Sequence, residues 1–125
     1  MMSSTLTPSE IAQGLGDAFA SRGLGRLARL LHPQVRWGGD EETDETCHGP
    51  EAVVDCYAAL LSSGVTAEVD EVVIRGQRIM LRLLVHGLDE SSDRVPHYQV
   101  FRVADGLVDD IRGSSDRTEA QRLLG

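Results

Sequence analysis

The stretch HYQVFRVADGLVDDIRG (residues 97–113) predicts a β-hairpin, because two runs with alternating apolar residues flank the dipeptide Asp105-Gly106. An Asp-Gly pair suits the positive backbone φ angles of a tight two-residue turn. Upstream of this hairpin, residues 65–74 and 79–86 also alternate with a period of two. Four consecutive antiparallel strands are therefore expected, with a bulge near Asp70 and Glu71, where the apolar phase slips by one residue.

The N-terminal half carries helical patterns instead. TPSE (residues 7–10) is a capping box with proline at the first helical position, so a first helix is expected from there to the SRG at residues 21–23. Asp116 followed by Glu119 marks a short C-terminal helix in the same way. The other predicted elements are a second helix in LGRLARLLHP (24–33), a short strand in QVRW (34–37) and a third helix in GPEAVVDCYAALLSSG (49–64).

Composition limits the class of protein. A chain of 125 residues with 41% hydrophobic and 26% charged residues fits one domain spanning residues 1–125, with residues 1–7 expected to be flexible. A net charge of -8 argues against nucleic-acid or membrane-surface partners, and no apolar run is long enough to span a membrane. The absence of an export signal predicts a cytoplasmic location, where the two cysteines, Cys47 and Cys56, are expected to be plain thiols.

The acidic stretch WGGDEETDETCHG (37–49) is a candidate active site by composition. It lacks the residue order of a calcium loop, and its adjacent carboxylates cannot all be buried without partners. Cys47 and His48 are sequence neighbours, which does not place a thiol and an imidazole in attack geometry. We therefore interpret it as a solvated connector at the mouth of a cavity. The four histidines stand in no metal-ligand spacing, so neither a metal nor another cofactor is predicted.

The order of these elements resembles the cone-shaped α+β fold of the nuclear transport factor 2-like superfamily, a cystatin-like α+β roll. The segments LARLLHPQVRW (27–37), CHGPEAVVDCYAALL (47–61) and YQVFRVADGLVDDIRGSSDRTEA (98–120) are similar to its SnoaL-like branch, the polyketide cyclase type. The resemblance runs from about Ile11 to Leu124. It implies a curved antiparallel sheet packed against three N-terminal helices, a short C-terminal helix, and a conical cavity for a small apolar organic ligand.

The resemblance also suggests candidate chemistry. The catalytic positions of the ketosteroid isomerases fall on Gly16, Gly38 and Pro96, so steroid isomerisation is not expected; Asp40 lies two residues from the base position. Polyketide cyclases use an aspartate with a neighbouring histidine, and the last two strands offer His97, Tyr98 and Asp109 as catalytic candidates. Asp109 faces the cavity if Ile111 and Gly113 do, and a single bulge would reverse this.

Trp37, Tyr57 and Tyr98 are expected to line one cavity and to bind the same ligand, with His97 near the rim as a proton carrier. Packing in the core explains Trp37 and Tyr57 as well. Two function classes follow: a cofactor-independent cyclase, isomerase or hydrolase that works by acid-base catalysis, or a non-catalytic ligand-binding or assembly protein. A homodimer through the outer sheet face is predicted, because both faces of IMLRLLVHGL (79–88) carry apolar residues.

Overall fold

Three helices precede the long strands in the computed structural model, which describes residues 6–39, 41–87 and 94–125. They are α1 (Pro8–Ser21), α2 (Leu24–Arg29) and α3 (Pro50–Ser62). The predicted capping box of α1 is confirmed: the Thr7 hydroxyl accepts a hydrogen bond from the Glu10 amide, and the Glu10 carboxylate accepts one from the Thr7 amide. Helix α2 ends earlier than predicted, because the strand begins at Leu31 and already contains Pro33.

Six strands form one sheet in the spatial order β2-β1-β6-β5-β4-β3. The last four strands are consecutive antiparallel neighbours, as predicted. β1 lies parallel to β6, which joins the helical half of the chain to the final strand. The strands are β1 (Leu31–Trp37), β2 (Cys47–His48), β3 (Thr66–Arg75), β4 (Arg78–His86), β5 (Val95–Ala104) and β6 (Leu107–Ser114), of which the short β2 was not predicted.

Backbone irregularities set which side chains face which side of the sheet. Asp105 and Gly106 have φ angles of 55° and 75°, which confirms the predicted tight turn between β5 and β6. The register between β3 and β4 shifts between Val69 and Glu71, so the predicted bulge is confirmed. A second shift lies in the β5–β6 pair: Arg102 pairs with Asp110 and Val103 with Val108, leaving Asp109 as the extra residue.

The sheet carries a hydrophobic core on each face. The larger core lies between the concave face and α1–α3, and its fully buried members include Ile11, Val53 and Phe101. The smaller core lies on the outer face, where α4 (Arg117–Leu124) packs across β4, β5 and β6. Its buried residues are Met80, Tyr98, Val100, Ala120 and Leu124. No helix within the described ranges is long and apolar enough to cross a membrane.

Polar contacts fasten α4 to the sheet. The Asp116 side chain caps the helix by accepting from the Thr118 amide, while Glu119 pairs with Arg122 instead of completing a reciprocal box. Arg117 donates two hydrogen bonds of 2.8 Å to the Glu71 carboxylate at the β3 bulge. The bulge therefore supplies the carboxylate that anchors the first turn of α4.

Cys47 and Cys56 form a disulfide, so the expectation of two plain thiols is wrong. The short strand β2 pairs with the end of β1, with Cys47 opposite Trp37, and this brings Cys47 beside α3. The two Cα atoms are 7.6 Å apart across a sequence separation of 9 residues. Nothing in the local sequence marks this pairing, because it depends on how β2 packs against the helix.

Replacing Cys56 with serine should lower the free energy of unfolding by about 2–3 kcal/mol in non-reducing buffer, since a cross-link over a loop of about ten residues restricts the unfolded chain. Denaturant titrations of the variant and the wild type measure this. In buffer with dithiothreitol the difference should vanish. Wild-type protein that takes up two alkyl groups when denatured without reductant would contradict the disulfide.

Candidate functional site

A cavity of about 680 Å³ opens between the N-terminal helices and the concave face of the sheet. Its walls come from α1, α2 and α3, from the end of β1, and from β3, β4 and β5. Apolar side chains such as Phe19, Leu27 and Leu83 supply much of the surface. The size and the mostly apolar walls are those of a small-molecule pocket.

One wall is aromatic. The Trp37 ring stacks on the Tyr57 ring with centroids 4.4 Å apart and an angle of 21° between the planes. Phe19 meets the same tyrosine edge-on, at 5.7 Å and 71°. The placement follows from the sequence: Tyr57 lies one helical turn after the buried Val53 on α3, and Trp37 is the last residue of β1. The structure thus brings Trp37 and Tyr57 together at the cavity, as the sequence predicted, while their role in ligand binding stays a prediction.

The tyrosine of this wall also forms a hydrogen bond with a buried glutamine. The Tyr57 hydroxyl donates a 2.7 Å hydrogen bond to the Oε1 atom of Gln99. Burial raises the pKa of Tyr57 well above its ordinary value, so this hydroxyl stays neutral across the physiological range. Gln99 is only 4% exposed, and apart from the tyrosines it is the one buried polar side chain among the residues that the structure describes.

The amide nitrogen of Gln99 has no hydrogen-bond partner within residues 6–39, 41–87 and 94–125. Since Oε1 is occupied by Tyr57, the Nε2 atom supplies the donors that Gln99 offers to the cavity. Sequence reasoning missed this residue. The available signal was a glutamine at a position where the alternation of β5 demands an inward side chain, between His97 and Phe101.

His97 also lines the cavity, two residues before Gln99 on the same strand face. Its ring lies against Gly113 of β6, where an added Cβ would come within 3.1 Å of His97 Nε2. Glycine at that position therefore leaves room for the imidazole. Burial lowers the pKa of His97, which favours the neutral form at pH 7.

Tyr98 does not line the cavity, and the prediction that it shares one with Tyr57 is wrong. Neighbouring residues of a strand point to opposite faces of the sheet. Because His97 and Gln99 point into the cavity, Tyr98, which lies between them, points to the outer face. There it packs with Met80 under α4, and the Arg117 guanidinium lies 5.8 Å from its ring centroid. Hydrogen bonds from Arg82 and Arg117 lower the pKa of Tyr98, but on the far side of the sheet from the cavity.

Asp109 is likewise outside the cavity, so its placement as an inward catalytic group is wrong. It is the extra residue of the β6 bulge, and the bulge reverses the alternation counted from Ile111. Its carboxylate accepts hydrogen bonds of 2.8 and 3.2 Å from Arg102 on the outer side. Of the three catalytic candidates predicted from the sequence, His97 lines the cavity, whereas Tyr98 and Asp109 lie on the outer side of the sheet.

The acidic connector lies at the surface, with residues 41–45 exposed. His48 and Glu42 are 2.7 Å apart, and this hydrogen bond lowers the pKa of Glu42. Arg36 donates to the Gly39 carbonyl at 2.7 Å. Asp40 lies outside the described residues. In the parts of the chain that the structure describes, no group of three or more potential metal ligands comes together.

With this geometry in place, comparison with known proteins identifies the family. The sequence profile of the SnoaL-like domain matches residues 12–111, which is most of the chain. The chain belongs to the SnoaL-like family. Its α+β fold is that of the nuclear transport factor 2-like proteins, as predicted. A search of functionally curated proteins finds no match.

Solved structures agree on the fold. A candidate polyketide cyclase from Sinorhizobium meliloti is 21% identical over 83% of this chain and 93% of its own, with a TM-score of 0.68. A nuclear transport factor 2-like protein of unknown function from Mesorhizobium loti is 19% identical over 85% and 88%, with a TM-score of 0.70. A Catenulispora acidiphila protein with a ketosteroid isomerase-like fold, in complex with trimethylamine, is 14% identical over 86% of each chain, with a TM-score of 0.66. At these identities the likeness shows the fold alone.

The buried imidazole should make folding pH-dependent. Because the pKa of His97 is lowered in the folded protein, its stabilising contribution is complete above the unfolded-state pKa, about 6.5, and is lost as the pH falls below that value. The His97→Gln variant should therefore lose less free energy of unfolding than the wild type between pH 7.5 and pH 5. Denaturant titrations at both pH values, with an NMR titration of the His97 ring, measure this. Equal losses in both proteins would contradict the assignment.

Proposed function

We propose that this SnoaL-like protein binds an uncharged, mostly apolar organic molecule in the cavity, with a hydrogen-bond acceptor of the ligand at Gln99. The observation that carries the proposal is a glutamine, 4% exposed, whose amide nitrogen opens to the cavity and has no hydrogen-bond partner among the described residues. A ligand carbonyl or ether oxygen placed against Nε2 would accept a hydrogen bond from it, which contributes about 0.5–1.5 kcal/mol.

The neutral state of the interior supports an uncharged ligand. Tyr57 and His97 are both kept neutral by burial, so neither supplies a charge to hold an ion. The charged groups around the cavity include Glu68 and Arg94, which pair with each other, and Arg22, which is exposed at the surface and not in the interior. A ligand with a formal charge would therefore lose its hydration and gain no opposite charge in the interior.

The aromatic wall supports a flat ligand. Trp37 is already stacked on Tyr57 and lines the cavity, so a planar group of the ligand can pack against this pair.

Catalysis is the second candidate function, and His97 is the observation that favours it. A neutral imidazole at the cavity is a free base, which is what a cofactor-independent cyclase, isomerase or hydrolase needs for acid-base chemistry. The similarity to a candidate polyketide cyclase is consistent with this. Tyr98 and Asp109 lie on the outer side and take no part in the proposal. Turnover that survives in His97→Gln would contradict a role for this base.

Ligand binding should depend on Gln99. A neutral aromatic ketone such as 2-acetylnaphthalene should bind the wild type about 2- to 10-fold more tightly than 2-ethylnaphthalene, which has no acceptor, since one hydrogen bond contributes about 0.5–1.5 kcal/mol. The Gln99→Met variant should lose this preference, while Gln34→Met, at an exposed glutamine, should keep it. The emission of Trp37, the single tryptophan, measures binding. A preference that persists in Gln99→Met would contradict the proposal.

The two tyrosines provide a further matched pair. Tyr57→Phe removes the hydroxyl that orients the Gln99 amide, so ketone binding should weaken by about the same factor. Tyr98→Phe changes the outer face and should leave ketone binding unchanged. Equal effects of the two substitutions would contradict the placement of the ligand beside Tyr57.

We also propose a homodimer through the part of the outer face that α4 leaves open. Helix α4 covers Met80, and by strand alternation Leu84 is the other apolar residue of β4 on that side. Light scattering at micromolar concentration should give a mass of about 27 kDa, twice the 13.6 kDa of one chain. Leu84→Arg should give a monomer and Val72→Arg, at an exposed position of β3, a dimer. A monomeric wild type would contradict this proposal.

A cytoplasmic location stays a prediction, and the disulfide offers a way to test it. Disulfides are rare in a reducing cytoplasm, so Cys47 and Cys56 should be trapped there as thiols by an alkylating reagent added to intact cells. Recovery of the oxidised pair from cells would argue for an oxidising compartment.

A further inference from the structure

The outer face of the sheet carries a second cleft, of about 230 Å³, beside the C-terminal end of α4. Four arginines line it: Arg78 from β4, Arg102 from β5, Arg112 from β6 and Arg122 from α4. The chain has 12 basic residues and a net charge of -8, so a third of its positive charge converges on one cleft of an acidic protein. The remaining lining residues are Val100, Asp110 and Leu123.

Carboxylates pair with three of the four arginines of this cleft. Arg102 pairs with Asp109, Arg112 with Asp110, and Arg122 with Glu119. Arg78 donates to the main-chain carbonyl of Leu123. Within the described ranges it has no ion pair with a carboxylate.

The strand register adds an unfavourable contact. Arg78 and Arg102 are direct cross-strand partners on β4 and β5, and like charges opposite each other destabilise a sheet. The bond from Arg78 to Leu123 helps to hold the end of α4, but a neutral donor would serve that purpose without the repulsion. A bound anion would remove the repulsion and would pair with the donors of Arg78 that the helix does not use.

We propose that the arginine cleft binds a phosphoryl group, carried by a phosphorylated small molecule or present as free phosphate. The planar guanidinium groups of arginine match the oxygens of a phosphoryl group and can donate to two of them at once. The cleft volume equals the space of several water molecules, at about 30 Å³ each, which is enough for one small oxyanion. The arginine cleft lies on the opposite face of the sheet from Gln99, so this proposal does not depend on whether the cavity binds a ligand.

Calorimetric titration of the intact chain at pH 7.5 and constant ionic strength tests the proposal, with phenyl phosphate and inorganic phosphate as probes. Saturable binding is expected for the wild type and for Arg29→Gln, which removes an exposed arginine on α2. Binding to Arg78→Gln should be at least about tenfold weaker, because the arginine without a carboxylate partner is lost. In phosphate-free buffer Arg78→Gln should unfold at the same denaturant concentration as the wild type or a higher one, since the like-charge contact is removed.

The two probes distinguish the sources of the group. Tighter binding of phenyl phosphate identifies a phosphomonoester as the ligand, and equal binding identifies the phosphoryl group alone. The absence of saturable binding to the wild type overturns the proposal. Equal binding to Arg78→Gln and the wild type also overturns it, and a clear loss of stability in Arg78→Gln without phosphate would assign Arg78 to holding α4 instead.

Discussion

Strand β5 has to satisfy two cores at once, and the rest of the molecule depends on this constraint. Its residues alternate between the concave face, where His97, Gln99 and Phe101 point, and the outer face, where Tyr98 and Val100 lie under α4. A shift of the register by one residue would exchange these sets and would bury the wrong groups on both sides. The register of β5 therefore determines both which residues line the cavity and the surface on which the C-terminal helix packs.

The elements of this fold could be predicted from the sequence, because their signals are local. The capping box at Thr7, the Asp105-Gly106 turn and the phase slip at Asp70 each depend on a few adjacent residues, and all three appear in the structure. The family resemblance comes from the segments 27–37, 47–61 and 98–120, and the family profile matches residues 12–111. The alternation in residues 97–113 also places Gln99 on the same face as the apolar Phe101, whereas its contact with Tyr57 depends on how α3 packs.

What could not be predicted depends on tertiary pairing. The bulge at Asp109 appears only when β6 is laid against β5, and it turns a candidate catalytic carboxylate into a partner of Arg102. The Cys47–Cys56 disulfide needs β2 to dock beside α3. The burial of Tyr98 on the outer face needs α4 to cover that side of the sheet. For Asp109 and Tyr98 the chemistry of the side chain could be predicted, whereas its surroundings are decided by segments distant in sequence.

The sheet also separates two kinds of chemistry. On the concave side, burial favours the neutral forms of Tyr57 and His97, and the Tyr57 hydroxyl donates a hydrogen bond to Gln99. The Gln99 amide nitrogen opens to the cavity, where it can donate to a molecule that enters. A leucine at position 99 would pack against the same neighbours but would offer no donor. The glutamine therefore gives the cavity a directional contact for a ligand acceptor, and the proposed binding function depends on it.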